Sequence, residues 1–188
     1  MNLANKLTIF RMILVPVMVV FAYIPIGGDV YTVPVAMLIM DLIFIIASIT
    51  DKLDGYIARS RNQVTTFGKF LDPLADKILV LTAMILLVER GLLPAWIPVI
   101  VLAREYVVSG FRLVAVEKGG VVIAASVWGK LKTVTQMIAL IFAFVDVGGF
   151  FNFISGNLSG VHLVINIITS VMMSISVVAT IFSGWDYV

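Results

Sequence analysis

Apolar residues gather in six long runs, approximately 8–26, 33–57, 73–90, 94–117, 131–147 and 161–183. Most are close to the roughly 20 residues that a helix needs to cross a hydrocarbon core. Apolar and polar positions do not alternate at period two, so helices are expected rather than the strands of a membrane barrel. The pattern predicts an all-α membrane protein with six transmembrane helices, organised as a single membrane domain over residues 1–188. Ahead of the first span, MNLANKLTIFRMILVP is amphipathic and predicts a short N-terminal helix lying at the interface. The first apolar run is too long for a cleavable signal peptide and lacks a small-residue cleavage site.

Composition supports lipid as the solvent. The chain is 61% hydrophobic and 13% charged, with a mean hydropathy of +1.12, more apolar surface than a soluble domain can hide. The absence of cysteine excludes disulfides, thiolate metal sites and thiol catalysis. A net charge of +2 gives no reason to expect a nucleic-acid partner. Its distribution is more informative. With the N-terminus inside, the inner segments hold Lys6, Arg11, Lys52, Arg59, Arg61, Lys69, Arg112, Lys118, Lys130 and Lys132, and Lys77 lies one turn into the third helix. The outer connections, about 27–32, 91–93 and 148–160, hold none, with Arg90 at an outer helix end. By the positive-inside rule both termini face the cytoplasm, in a multi-pass cytoplasmic-membrane protein.

Four aspartates interrupt this apolar chain within DKLDGYIARSRNQVTTFGKFLDPLAD, residues 51–76. Asp51, Asp54 and Ala58 stand at i, i+3 and i+7, on one face of a helix. Asp72 and Asp76 stand at i and i+4 on the next helix, with Pro73 suited to its first turn. An antiparallel hairpin of the two converges four carboxylates. At an effective dielectric near 20, two charges about 5 Å apart repel by about 3 kcal/mol, so the group needs protons or cations. Two hard divalent ions supply four positive charges and prefer oxygen ligands, which points to a pair of Mg²⁺ or Mn²⁺ ions. Gly55, Ala58 and Gly68 let a bulky phosphorylated ligand approach the backbone. A merely solvated acidic loop has no need of glycines and carboxylates in fixed phase.

Written with its spacings, the stretch is D-x2-D-G-x2-A-R-x8-G-x3-D-x3-D, eight identities over 26 positions, and it resembles the signature of the CDP-alcohol phosphotransferase family. The resemblance implies metal ligation by Asp51, Asp54 and Asp72, with a contribution from Asp76. It assigns Asp76 as the general base that takes the acceptor's hydroxyl proton. Asp54, Gly55, Ala58, Arg59 and Gly68 form the implied bed for the nucleotide and phosphates of a CDP-linked lipid. The N-x2-T-x2-R pattern of Asn5, Thr8 and Arg11 is also similar to the family's N-terminal segment, which implies contact with the nucleotide or pyrophosphate; a positive-inside anchor and helix cap is the alternative. Family members are commonly homodimers within the lipid bilayer.

The acceptor is read from elsewhere in the chain. REYVVSGFR carries Arg104 and Arg112, and AASVWGKLKT carries Lys130 and Lys132. Fixed cations of this kind beside a carboxylate–metal site suggest a second, anionic substrate. Arg112 as a snorkelling side chain is the plainer alternative, as is Arg104 with Glu105, each satisfied by neighbouring helices. NLANKLTIFRMILVP, REYVVSGFR and AASVWGKLKTVTQM look like bacterial family members that transfer a phosphatidyl group from CDP-diacylglycerol to glycerol 3-phosphate. The dianionic acceptor phosphate suits the cations. Two alternatives stay open: another acceptor such as inositol phosphate, and a divalent-cation transporter, for which acids across the whole membrane are expected. Asp41 lies ten residues before Asp51, about 15 Å along a helix, so a structural pairing with a neighbouring helix is expected for it. His162 reads as a polar anchor, and the small residues of the last run as a packing surface.

Overall fold

The structure, a computed structural model, describes the backbone of residues 3–60, 66–117 and 127–185, and the side chains of these except 3–4, 52–60, 66–70, 112–113 and 115–117. The chain divides into two compact units, Met1–Glu89 and Arg90–Val188.

The first unit holds α1 (Leu3–Tyr23), α2 (Val35–Ser60) and α3 (Thr66–Glu89). A two-residue hairpin precedes α2, pairing β1 (Asp29–Val30) with β2 (Val33–Pro34). Its turn residues Tyr31 and Thr32 both take positive φ, 49° and 69°, the geometry whose twist matches a tight hairpin. α1 is one continuous helix, so the separate interfacial helix expected at the N-terminus is instead its first turns. Nothing before Pro16 breaks it, and a proline inside an apolar helix is tolerated when neighbouring helices re-satisfy the backbone. Pro73 likewise lies inside α3 and not in its first turn, because the helix begins at Thr66. α1 packs against both α2 and α3, more extensively than those two pack against each other. The core between them is Met18, Met40, Phe44, Leu79, Met84 and Leu87, all fully buried.

The second unit holds α4 (Trp96–Glu117), α5 (Val127–Val145), a short 3₁₀ helix (Asn152–Ser155) and α6 (Gly160–Trp185). α5 and α6 pack along their length, and α4 packs on α6. The buried positions of α5, from Lys132 through Thr135, Gln136, Ala139, Leu140 and Ala143, recur at three- and four-residue steps, the spacing of one helix face. Small residues on α6, Ser170, Ser176, Ala179 and Ser183, are buried and let the helices approach closely.

Among the described residues three helices, Asn5–Tyr23, Val127–Val145 and Gly160–Trp185, are long and apolar enough to cross a membrane. The other three carry more ionisable residues, such as Asp41 and Asp51 on α2 or Arg104 and Glu105 on α4. Outward faces of both units expose Ile13, Val20, Ile49, Ile85, Val99 and Val164, surface that water does not cover favourably and lipid does. The chain is a predominantly helical membrane protein.

Candidate active site

Thr8 and Arg11 lie three residues apart on α1, on one face. Thr8 Oγ1 donates to Asp72 Oδ1 at 2.6 Å. Arg11 Nη1 donates to Asp51 Oδ1 at 2.5 Å. Asp51 belongs to α2 and Asp72 to α3, so a single turn of α1 engages the signature carboxylates of both helices. α1 is thus the clamp of the aspartate hairpin, a part that spacing within residues 51–76 did not reveal. Arg11 is completely buried, while Asp51 keeps 33% of its side chain exposed. The guanidinium has left water entirely, and the carboxylate retains an open side. Asn5 is buried one turn before Thr8.

Asp76 follows Asp72 by four residues on α3 and shares its face; both are half-buried. Asp54, Gly55, Ala58 and Arg59 belong to α2 and Gly68 to α3, but their surroundings lie outside the described residues. Among the described residues no three His, Cys, Asp or Glu side chains form a group able to hold an ion; Asp54 is not one of those residues. The donor set is nonetheless of the right kind. Asp51 and Asp72 offer carboxylate oxygens, the ligands that hard divalent ions prefer, and each is oriented by an outer hydrogen bond from α1.

The second unit gathers the other charged candidates. Arg104 Nη1 donates to Glu105 Oε1 at 2.9 Å, Lys132 Nζ donates to the same oxygen, and Arg104 Nη2 donates to Ser183 Oγ. These bonds tie α4, α5 and α6 together. Adjacent residues point about 100° apart on a helix, yet the long arginine arm folds back to its neighbour, so Arg104 and Glu105 satisfy each other directly. Lys132 is buried on α5, whereas Lys130, two residues earlier, is exposed. Trp128, one turn before Lys132, stacks on Phe182 with ring centroids 5.0 Å apart. The side chain of Arg112 lies outside the described residues.

The expected partner for Asp41 is not seen among the described residues; its carboxylate is buried and Oδ1 accepts no hydrogen bond. A different acid, Asp146, turns out to be the built one. It accepts from Gly148 N at 2.9 Å and from Asn166 Nδ2 at 2.8 Å. Asn166 Nδ2 also donates to Gly149 O, and its Oδ1 accepts from Phe153 N. This knot fixes the turn after α5 onto α6. Burial raises the Asp146 carboxyl above its ordinary value, and the bonds from Gly148 and Asn166 oppose that rise. The signal in the sequence was an acid followed closely by Gly148-Gly149.

A predominantly helical membrane protein with acidic side chains of two helices clamped by a third is the architecture in hand. The chain belongs to the CDP-alcohol phosphatidyltransferase family, whose model matches residues 1–182. A Bacillus subtilis (strain 168) relative, a CDP-diacylglycerol–glycerol-3-phosphate 3-phosphatidyltransferase, is 48% identical over 145 residues, 74% of each chain. The probable phosphatidylglycerophosphate synthase of Mycobacterium tuberculosis (strain H37Rv) is 38% identical over 187 residues, covering 100% of this chain and 80% of its own. A Rickettsia bellii (strain RML369-C) relative with the same name as the first is 36% identical over 187 residues, 99% of this chain and 93% of its own.

Proposed function

We infer that this chain transfers the phosphatidyl group of CDP-diacylglycerol to glycerol 3-phosphate, giving phosphatidylglycerophosphate and CMP. The chemistry is that of the relatives' names, with 36–48% identity over 74–99% of this chain. The structural observation that carries it is the α1 turn, where Thr8 and Arg11 grip Asp72 and Asp51. A transferase needs those carboxylates held at one place, which an acidic surface loop does not. The two units serve one reaction in this reading, supported by a family match that runs through both.

Asp51, Asp54 and Asp72, with Asp76, would hold two Mg²⁺ or Mn²⁺ ions. Bound there, the ions supply charge neutralisation for the diphosphate and for departing CMP. Asp76 accepts the proton of the acceptor hydroxyl as its oxygen bonds to the lipid-side phosphorus, and the bond from that phosphorus to the CMP oxygen breaks. Its basicity is modest beside cations, yet a weak base still helps when deprotonation accompanies attack. Asn5, Asp54, Gly55, Ala58, Arg59 and Gly68 bed the nucleotide. Thr8 and Arg11 act there by orienting the ligating carboxylates. Arg104, Arg112, Lys130 and Lys132 receive the acceptor phosphate, a task suited to arginine's fork and lysine's point charge.

All six helices cross the membrane in this reading. α2, α3 and α4, at 26, 24 and 22 residues, extend roughly 33–39 Å at the α-helical rise, enough for the hydrocarbon core. The lysine and arginine distribution supports cytoplasmic termini and a cytoplasmic active site, and exposed apolar faces are compatible with a homodimer. The test is release of CMP from CDP-diacylglycerol by the purified protein in detergent. Release is expected to require Mg²⁺ or Mn²⁺ and glycerol 3-phosphate, and to stop with chelator. Turnover with inositol phosphate in place of glycerol 3-phosphate overturns the acceptor; metal flux into liposomes without CDP-lipid overturns the enzyme.

A further inference from the structure

Glu105 has no part in the reaction as described so far, and it stands at the centre of the second unit's charged cluster. A single oxygen, Oε1, accepts from both Arg104 Nη1 and Lys132 Nζ. Both nitrogens therefore lie within hydrogen-bond reach of one point, and within roughly 6 Å of each other. The side chains are largely withdrawn from solvent, 14% exposed for Arg104, 22% for Glu105 and 7% for Lys132. At that separation two cations withdrawn from water repel each other, which a carboxylate between them offsets. Ser183 on α6 fixes the other arm of the Arg104 fork. The Arg104 Nε–H is buried and has no acceptor among the described residues, so this guanidinium has donor capacity beyond its two bonds. The cluster carries one net positive charge after Glu105 is counted.

We propose that Glu105 is a positioning residue for the acceptor phosphate: it gathers Arg104 of α4 and Lys132 of α5 onto one point, so the phosphate meets a preassembled cation pair. The proposal rests on reading the α4–α5 cations as the acceptor's site. Without the carboxylate the two cations separate, and the acceptor must reassemble them at the expense of its own binding. A place-holder role predicts the opposite sign, since a carboxylate seated where phosphate belongs competes with it. A purely structural strut predicts lost stability with no change in substrate preference.

The measurement is steady-state kinetics of Glu105→Gln in detergent, varying each substrate separately, with CMP binding by calorimetry as a check on the nucleotide site. The expected result is a ten-fold or larger rise in the KM for glycerol 3-phosphate. The KM for CDP-diacylglycerol and CMP affinity stay unchanged, and kcat moves by only a few fold. Glu105→Asp keeps the charge on a shorter arm, and a smaller rise of the same selectivity is expected; this variant carries the test if the glutamine protein does not fold. An unchanged or lowered acceptor KM overturns the proposal. Lys130→Ala and Arg112→Ala, run alongside, separate the two levels. If they raise the acceptor KM and the Glu105 variants do not, only the positioning role falls. If none of the four moves it, the acceptor site itself is misassigned.

Discussion

The contact between Arg11 and Asp51 makes a quantitative demand on the protein. Removing one partner of a buried ion pair costs about 3–5 kcal/mol, because the other is left in a poor solvent. Arg11 is wholly buried, but Asp51 keeps a third of its side chain exposed. Water therefore recovers part of the loss, and a coupling of about 2–3 kcal/mol is the reasonable figure. A double-mutant cycle isolates it from the general repulsion among the aspartates. Arg11→Ala alone is expected to destabilise, because a countercharge leaves an acid-rich site. In that background Asp51→Asn is expected to be neutral or stabilising, since it relieves the repulsion that Arg11 had offset. The assay is reversible unfolding of wild type, both single variants and the double variant in mixed micelles, with chelator present so that adventitious ions do not substitute for the guanidinium. Additivity within about 0.5 kcal/mol refutes the pairing as an energetic feature of the fold. Coupling of the expected size, with turnover lost in Arg11→Ala, places α1 in command of where Asp51 sits.

The other predictions concern the base and the turn after α5. Asp76→Asn is expected to abolish CMP release while CMP binding stays measurable; full activity in that variant ends its assignment as base. A Cβ on Gly148 would lie 2.6 Å from Leu158 Cδ1 and 3.0 Å from Asn166 Nδ2. The leucine tip can move, but the amide is committed to Asp146 and to Gly149 O, so Gly148→Ala should cost about 1–3 kcal/mol by overpacking, read as a lower Tm; an unchanged Tm refutes the crowding. Burial raises the Asp146 carboxyl, so the folded protein keeps a proton that the unfolded chain loses near pH 4. This contribution to stability is full below that pH and declines as the pH rises through the raised folded value, with the nearby His162 opposing the rise. Asp146→Asn should flatten the fall in Tm with rising pH over that window, and an equally steep fall in the variant refutes it.

Much of the fold was legible because lipid imposes a simple rule on sequence: long apolar runs with internally bonded backbones. Six runs gave six helices, and the ends differed where helix-breaking signals were overridden. Pro73 marked a helix start by propensity, yet α3 begins seven residues earlier. The amphipathic N-terminus looked like a separate element, but no breaker divides it from the apolar run, so α1 is continuous. Candidate site residues were legible where one helix face carried them, as with Asp51 and Asp54 or Asp72 and Asp76. Contacts across 40 and 64 residues, Arg11 to Asp51 and Thr8 to Asp72, had no local periodicity to betray them. Residue-by-residue spacing also hid Glu105, because its partners come from an adjacent position and from another helix.

Polar residues in a lipid-embedded chain can be sorted by what they hold. An unbonded polar group is costly in such a medium, so most of the described ones find either a backbone or another side chain. Ser48, Thr50, Thr135, Ser174 and Thr180 turn back onto carbonyls of their own helices; such bonds satisfy a hydroxyl and carry no chemistry. Asp146 with Asn166, and Tyr23 with Glu89, join helices or turns through bonds that close on themselves. Among the described residues of the candidate site, Asp51 and Arg104 do not close in this way. Asp51 is held from one side and open on the other, and Arg104 keeps a buried donor beyond its bonds to Glu105 and Ser183. One offers an anion and the other a cation, and a reaction joining a CDP-linked diphosphate to a phosphorylated alcohol needs both.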